Sequence, residues 1–218
     1  MLESVDIELA GEPVRLYADR ALYWPRRGRL MVADLHLGKA DVFRRAGIGL
    51  PRGGTTHDLQ RLDRLLAASG ASALWVLGDV LHGPAPDAAW RESWVQWREA
   101  HRDIHVAALV GNHDRALAGA GLAIELLGEA LDDPPFALRH EPALSPGLHV
   151  LCGHLHPCVG LPGLGARRWP AFWLREDLTV LPAFSAFTGG VAVAHGRTEG
   201  VAVCVEGTIT LIGAHARR

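Results

Sequence analysis

Aspartate, asparagine and histidine recur in five short clusters along the 218-residue sequence, each directly after an apolar stretch. Carboxylate, amide and imidazole groups bind divalent metal ions, and a set without thiolates suits Mn, Fe, Zn or Co rather than a structural zinc cage. Any one cluster would often arise by chance, but five in succession predict one shared metal site. The predicted ligands are Asp34, His36, Asp79, Asn112, His140, His154 and His156.

Two divalent ions in one site would permit the hydrolysis of phosphate esters. At a separation of roughly 3.5–4 Å they can clamp a phosphate and generate a hydroxide between them. A shared carboxylate would offset the repulsion between the two cations, and Asp79 suits this role. One residue separates Asp34 from His36, and one separates His154 from His156. In an extended segment, the two side chains of each pair would therefore face the same site.

The clusters must be positioned by elements that end at one place. In open α/β sheets, ligands collect where the strands end. A glycine precedes Asp79, Asn112 and His154, which predicts a sharp turn or a close backbone approach at each of them. We predict buried strands for the apolar stretches that lead into the clusters, namely RLMVAD, ALWVLGD, HVAALVGNHD, FALRH and LHVLCGHLH.

Two helices are predicted between these strands. Leucines at helical spacing indicate a helix over residues 55–69, with Thr55 or Thr56 as its N-cap and Gly70 after its end. A second helix spans roughly residues 87–102 and begins at Pro86 and Asp87. Its three tryptophans share one face, and that spacing favours core packing over a base-stacking platform. They are Trp90, Trp94 and Trp97.

The order of the elements predicts the fold class. Strands alternate with helices in the first half of the chain and dominate the second half, where a hairpin turns at Glu206-Gly207. This order predicts an α/β fold, a sandwich of two mixed β-sheets flanked by helices. The length suits one domain over residues 1–218, with the proline- and glycine-rich residues 157–165 as a loop.

Composition restricts the compartment and the partners. The net charge is -2, so a polyanion would need a local basic patch or bound metals. Three cysteines do not make a disulfide framework. Neither a signal-peptide core nor an uncharged apolar run of membrane-spanning length occurs in the sequence, and this predicts a cytoplasmic protein.

The order D-x-H, G-D, G-N-H-D, H, G-H-x-H resembles that of the calcineurin-like metallophosphoesterase superfamily. The resemblance implies that His113 is a catalytic histidine, which contacts the phosphate and can protonate the leaving oxygen, and that Asp114 orients it. The first metal would be held by Asp34, His36, Asp79 and His156. The second would be held by Asp79, Asn112, His140 and His154.

A narrower resemblance covers nearly the whole chain. The stretch DLHLGKADVFRRAGIGLPRGGTTHDLQRL, followed by LGDVLHG, RHEP, CGHLHP and LPAFSAFTGG, is similar to the ligase-associated DNA damage response endonucleases. These bacterial proteins are found beside an ATP-dependent DNA ligase, a helicase and an exonuclease-like protein. The resemblance implies a Mn-dependent DNA endonuclease that acts in DNA repair.

Several residues near the predicted ligands have no assigned role. His82, three residues after Asp79, could support the metals, face the substrate or be an ordinary loop histidine. A basic segment after His36 could hold phosphates that flank the scissile one, or could form a solvated helix face. It contains Lys39, Arg44, Arg45 and Arg52. A second, weaker basic and aromatic spot consists of Arg167, Arg168 and Trp169.

Two other functions remain open from the sequence. A phosphoesterase or pyrophosphatase for a small nucleotide or lipid-linked substrate would suit the pI of about 6.6. A binding module without catalysis is disfavoured, because every predicted ligand and His113 are present. No cap domain is inserted between the clusters, which predicts an open site suited to a polymer.

Overall fold

The structure, a computed structural model, describes residues 2–49, 53–83, 89–161, 163, 165–186, 188–194, 196 and 199–213. For Arg45 and Ala89, it describes only the backbone. The element bounds given below belong to this part of the chain.

The first sheet has its strands in chain order. They are β1 (Ser4–Leu9), β2 (Glu12–Tyr17), β3 (Ala21–Trp24), β4 (Arg29–Val32), β5 (Ala73–Leu77), β6 (His105–Leu109) and β7 (Glu125–Leu126). Neighbouring strands are antiparallel from β1 to β4 and parallel from β4 to β7. The parallel half therefore brings the carboxyl ends of β4, β5 and β6 to one edge.

The second sheet is also mixed, with the order β15-β14-β12-β13-β10-β9-β8 and β11 paired to β12. Its strands are β8 (Ala130–Asp133), β9 (Phe136–Arg139), β10 (His149–Cys152), β11 (Cys158–Gly160), β12 (Arg168–Leu174), β13 (Leu178–Val180), β14 (Gly200–Val205) and β15 (Thr208–Gly213). Strands β9, β10 and β13 run parallel. The last two strands form the predicted hairpin, in which Glu206 and Gly207 both have positive φ, as tight hairpin turns require.

The main core lies between the two sheets, and a second core lies between the first sheet and the helices. Strand β4 contributes to both, because Met31 faces the second sheet while Leu30 and Val32 face the helices. Trp24 and Phe136 meet edge to face across the sandwich, with ring centroids 4.8 Å apart. The predicted α/β sandwich of two mixed sheets is confirmed.

The helices are α1 (Lys39–Arg45), α2 (Gly54–Ser69) and α3 (Ala89–Ala100). Helix α2 ends at the predicted Gly70, but the predicted N-caps Thr55 and Thr56 lie inside its first turn. The helix starts earlier because Gly53 adopts a left-handed conformation with φ of 86° and no side-chain cap. Pro86 and Asp87, predicted to begin α3, lie outside the described residues.

Helix α3 packs through its tryptophans, as predicted. Trp90, Trp94 and Trp97 are buried in the core that α2 and α3 form against the first sheet. The indole Nε1–H of Trp94 donates to the carbonyl of Leu122 at 2.8 Å. No helix in the described part of the chain is long and apolar enough to cross a membrane.

Replacing the most deeply buried tryptophan of α3 should destabilise the fold. Trp94 is 0% exposed, so we expect Trp94→Ala to lower the free energy of unfolding by about 3–5 kcal/mol. Its neighbour Val95 is 51% exposed, and Val95→Ala should change stability by no more than about 0.5 kcal/mol. Urea denaturation of both variants tests this, and equal midpoints would contradict the packing described here.

Candidate metal centre

The predicted ligands follow strands whose carboxyl ends meet at one edge of the sandwich. Asp34 and Asp79 come two residues after β4 and β5, while His140 and His154 follow β9 and β10 of the other sheet. Two contacts, one of them between backbones and one to a side chain, join the sheets there. Ala33 bridges to Ala183, and the N–H of His154 donates to Asp34 Oδ2 at 3.0 Å. The site thus lies where the two sheets are joined.

Five of the predicted ligands have a left-handed backbone. Asp34, His36, Asp79, His154 and His156 have φ values of 55°, 47°, 50°, 69° and 49°. For non-glycine residues this conformation costs of the order of 1–3 kcal/mol each and often marks functional sites. The expectation that the paired ligands lie on extended segments is therefore wrong. In both pairs, Asp34 with His36 and His154 with His156, the left-handed backbone directs the side chains to the site, and the alternation of an extended strand does not.

Glycines allow the backbone to approach the ligands closely, as predicted. A Cβ atom at Gly111 would lie 2.3 Å from the backbone nitrogen and from Oδ1 of Asp79. A Cβ atom at Gly153 would lie 2.6 Å from Asp34 Oδ2. Gly78, directly before Asp79, has φ of 82°, which a larger residue rarely adopts.

Two groups of side chains could each hold a metal ion. Within each group, the possible ligand atoms all lie within 4.8 Å of one another. The first group is Asp34, His36 and His156, and the second is Asp34, Asp79 and His140. The groups share Asp34, whereas the sequence analysis gives the shared role to Asp79. Both carboxylates lie in the second group, which places them side by side.

The remaining predicted ligands adjoin the second group through His140. Its Nε2 lies 2.9 Å from Asn112 Oδ1 and 3.2 Å from His154 Nδ1. The structure therefore brings all seven predicted ligands together. Asn112 is exposed and His154 is half-buried, so this side of the centre is open to solvent.

The imidazoles are arranged as metal ligands would be. Among the described residues, neither Nδ1 nor Nε2 of the buried His36 has a hydrogen-bond partner. Burial lowers the pKa of His36 to about 2, helped by the charge of Lys39, so the ring is neutral and its lone pair is free. His140 and His156 place Nδ1 3.0 Å from the carbonyls of Leu77 and Gly189. Donation of Nδ1–H to these carbonyls leaves Nε2 for a metal.

The buried carboxylates of Asp34 and Asp79 also favour the binding of cations. Asp34 is 0% exposed and Asp79 is 2% exposed. In the described part of the chain, their ion-pair partners within 4.0 Å are the imidazoles of His156 and His140, not arginine or lysine. Burial lowers the pKa of His156, but the nearby carboxylate of Asp34 outweighs it and leaves the pKa raised. Buried charges need pairing or metals, so this donor set fits divalent metal ions.

His113 lies exposed beside the centre, in a stack of rings. Its ring centroid lies 5.6 Å from that of His36 and 5.4 Å from that of His82. Phe43 of α1 stacks on His82 in turn, at 5.6 Å. The structure thus places His82 within the site, and its position three residues after Asp79 is the only signal for this in the sequence. Burial lowers the pKa of His82 to about 4, with contributions from Lys39 and His113.

Asp114 differs from its predicted role as the partner of the His113 imidazole. Its buried carboxylate accepts the backbone N–H groups of Val80, Leu81 and Gly111 at 3.2, 2.8 and 2.9 Å. Burial raises the pKa of Asp114, although these N–H groups oppose the shift. No hydrogen bond joins it to the His113 ring within the residues described. Asp114 instead fastens the loop after β5 to the loop after β6.

The basic segment after His36 is only partly described. Arg44 forms an ion pair with Asp41, and both line a cavity of about 340 Å³ beside the start of α2. Arg52 lies outside the described residues, as does the side chain of Arg45. Lys39 is 8% exposed, and burial lowers its pKa, while Asp34 and Asp79 oppose this. Lys39 therefore lies near the centre and not on a solvated helix face.

Crowding the glycine beside Asp34 should weaken metal binding. We expect the wild type to bind two divalent ions per chain. Gly153→Ala should reduce the affinity at least about tenfold, because the new methyl group displaces Asp34. The matched control is Gly160→Ala, where nothing lies within 4 Å of the added atom. Calorimetric titration with Mn²⁺ tests this. Wild-type affinity in Gly153→Ala would show that Asp34 is not a ligand.

Comparison with known proteins agrees with the site. The family model described as calcineurin-like phosphoesterase matches residues 30–212. The crystal structure of Pseudomonas putida nuclease MPE is 36% identical, with a TM-score of 0.83, and the match covers 96% of this chain and 100% of that one. The phosphoesterase Yfce from E. coli is 19% identical, with a TM-score of 0.48, over 85% of this chain and 98% of that one.

A search of curated proteins gave no significant match. The family model nevertheless covers most of the chain, and the match to the Pseudomonas putida protein spans nearly all of it. That match is consistent with the narrower resemblance seen in the sequence. The chain therefore belongs to the calcineurin-like phosphoesterase family, as its sequence predicts, and is a metal-dependent hydrolase of phosphate esters.

Proposed function

We propose that this chain is a Mn-dependent DNA endonuclease that cuts phosphodiesters in DNA repair. The observation that carries the proposal is the similarity, along nearly the whole chain, to a protein described as a nuclease. The resemblance to ligase-associated endonucleases supports a cytoplasmic, single-domain enzyme that acts together with a DNA ligase and a helicase. The complete set of predicted ligands favours catalysis over a binding role.

In this proposal, the clustered side chains hold two divalent ions, which would supply positive charge to the phosphate and activate the attacking water. The first ion is held by Asp34, His36, Asp79 and His156. The second is held by Asp79, Asn112, His140 and His154. The left-handed backbones and the carbonyls that accept from His140 and His156 fix these side chains before substrate arrives.

His113 is the general acid in this proposal. Its backbone N–H donates to Asp79 Oδ1 at 2.9 Å, so the residue is anchored to the centre while its ring is exposed to substrate. The stack with His82 and Phe43 restricts the orientation of the ring. From this position, the imidazole would contact the phosphate and give a proton to the leaving oxygen.

The surroundings of the centre suit a polymeric substrate. A cavity of about 450 Å³ begins at His156 on one side. A cavity of about 430 Å³ begins at Asn112 and His140 on the other. A strand can therefore enter on one side and leave on the other, with its scissile phosphate at the metals.

Substrate choice is the direct test of the proposal. With Mn²⁺, we expect the purified protein to nick circular single-stranded or duplex DNA, and to act poorly on cyclic nucleotides and nucleoside diphosphate conjugates. Gel assays of circular DNA distinguish internal cuts from digestion at ends. Efficient hydrolysis of a nucleotide pyrophosphate without any cleavage of DNA would replace this proposal with the small-molecule alternative.

The role of His113 can be tested through the leaving group. His113→Ala should lose on the order of 10²–10⁴ in the rate of DNA cleavage, because the leaving oxygen would lack a proton donor. The loss should be smaller for a p-nitrophenyl phosphodiester, whose leaving group needs no proton. His105→Ala, at the start of β6 and away from the centre, is the control. Equal losses on both substrates would show that His113 only positions the phosphate.

A further inference from the structure

We infer that the DNA strand is held by an arginine-lined cleft on the His156 side of the centre, which grips the sugar-phosphate backbone beyond the scissile phosphate. This inference rests on the proposed function and names the surface that binds the substrate. The phosphates that flank the scissile one would thus be bound near Arg167 and Arg168, and not by the basic segment after His36.

The arginine cleft consists of two adjoining cavities. The near cavity, of about 450 Å³, runs from His156 to Arg168 past Thr188, Gly189 and Gly190. The far cavity has a volume of about 300 Å³. Pro170 lines both, and the consecutive residues Arg167 and Arg168 belong to one cavity each. Further basic residues of the far cavity are Arg20, Arg61 and Arg64.

Carboxylates balance only part of this positive charge. Arg61 pairs with Asp58 at 3.0 Å and with Asp19 at 3.4 Å, within the protein. Asp19 lies 3.8 Å from Arg64, a separation too long for a hydrogen bond. The side chain of Arg168 is exposed and, within the described residues, makes neither an ion pair nor a hydrogen bond.

Arg20 adds a half-buried charge with no carboxylate at ion-pair distance in the described part of the chain. Among the described residues, its guanidinium donates to the carbonyls of Ala183 and Ser185, at 3.3 and 3.2 Å. Burial lowers the pKa of Arg20 to about 10, and the neighbouring charge of Arg61 contributes to the shift. The guanidinium groups of Arg20 and Arg61 lie close enough to repel each other, and a phosphate beside Arg20 would offset that repulsion.

Trp169 lines the far cavity and supports Arg167. It is 7% exposed, and its indole Nε1–H has no acceptor among the described residues. The guanidinium of Arg167 lies over its ring, 3.9 Å from the centroid, while pairing with the exposed Glu206 at 3.3 Å. The indole ring thus supports the guanidinium of Arg167, which stays exposed where a phosphate can reach it.

The other surfaces near the centre are less suitable for a polyanion. The cavity on the Asn112 side is lined by Glu129 and Glu141, and its Arg139 is bound to Asp132 at 2.6 Å. In the cavity beside α2, the charge of Arg44 faces Asp41. Charge therefore favours the arginine cleft as the path of the strand.

The test removes three exposed arginines of the cleft together, in the Arg64→Ala, Arg167→Ala, Arg168→Ala triple variant. The matched control removes three exposed arginines elsewhere, each paired with a carboxylate as Arg64 and Arg167 are. These control changes are Arg15→Ala, Arg26→Ala and Arg27→Ala. Both triple variants change the net charge equally, and both should still bind two Mn²⁺.

With single-stranded DNA and Mn²⁺, we expect the cleft variant to lose at least about tenfold in kcat/KM at low salt. Its slope of log kcat/KM against log salt should flatten by about 2, because each phosphate contact on a single strand contributes about 0.7. The control should keep the wild-type slope. Arg168→Ala alone, which removes the arginine that lines the near cavity together with His156, should flatten the slope by about 0.7.

The outcomes separate the two proposals. Equal behaviour of the cleft variant and the control, with DNA cleaved by the wild type, would overturn the cleft and leave the nuclease function standing. Absence of DNA cleavage by the wild type would overturn the nuclease function and the cleft with it.

Discussion

Two carboxylates buried side by side, Asp34 and Asp79, are the constraint on which the rest of this structure depends. Like charges withdrawn from water are tolerated only where cations or strong hydrogen bonds offset them. Each carboxylate also accepts a backbone N–H, from His154 and from His113 respectively. One of these bonds joins the two sheets, and the other anchors the proposed general acid. The groups that attract metal thus also set the positions of the residues around it.

Such a centre needs a rigid frame, because its backbone is held in unfavourable conformations. A left-handed residue at five predicted ligands stores strain that persists only where the surroundings permit no alternative. The two cores provide that restriction, since the parallel strands leading to the site are buried on both faces. Asp114 adds to it by accepting two backbone N–H groups from the loop after β5 and one within its own loop after β6. Strain at the centre is therefore balanced by packing elsewhere.

Strands and ligands that depend on a local residue pattern could be predicted from the sequence. Contacts that depend on groups distant in the chain could not. Apolar stretches ending in metal-type ligands were enough to predict the two sheets and the clustering of the ligands. Strand β12 was missed because Pro170 interrupts its pattern, which β11 and β14 complete by pairing. The partner of Asp114 was missed because a carboxylate beside His113 can equally accept backbone N–H groups, and only the loop positions decide. The place of His82 in the site could not be predicted either, because its ring neighbours His36, Phe43 and His113 come from other segments of the chain.

The asymmetry of charge around the centre matters more than the net charge. Acidic and basic residues nearly cancel over the chain, at 24 and 22, so no overall field attracts DNA. Arginines nevertheless gather beyond His156, and glutamates gather beyond Asn112. The arginine side would hold one part of the strand and the metals its scissile phosphate, so that His113 takes a fixed place relative to the strand. Local charge can thus give an open metal centre a preferred orientation for its substrate, which the shared ligand set alone does not provide.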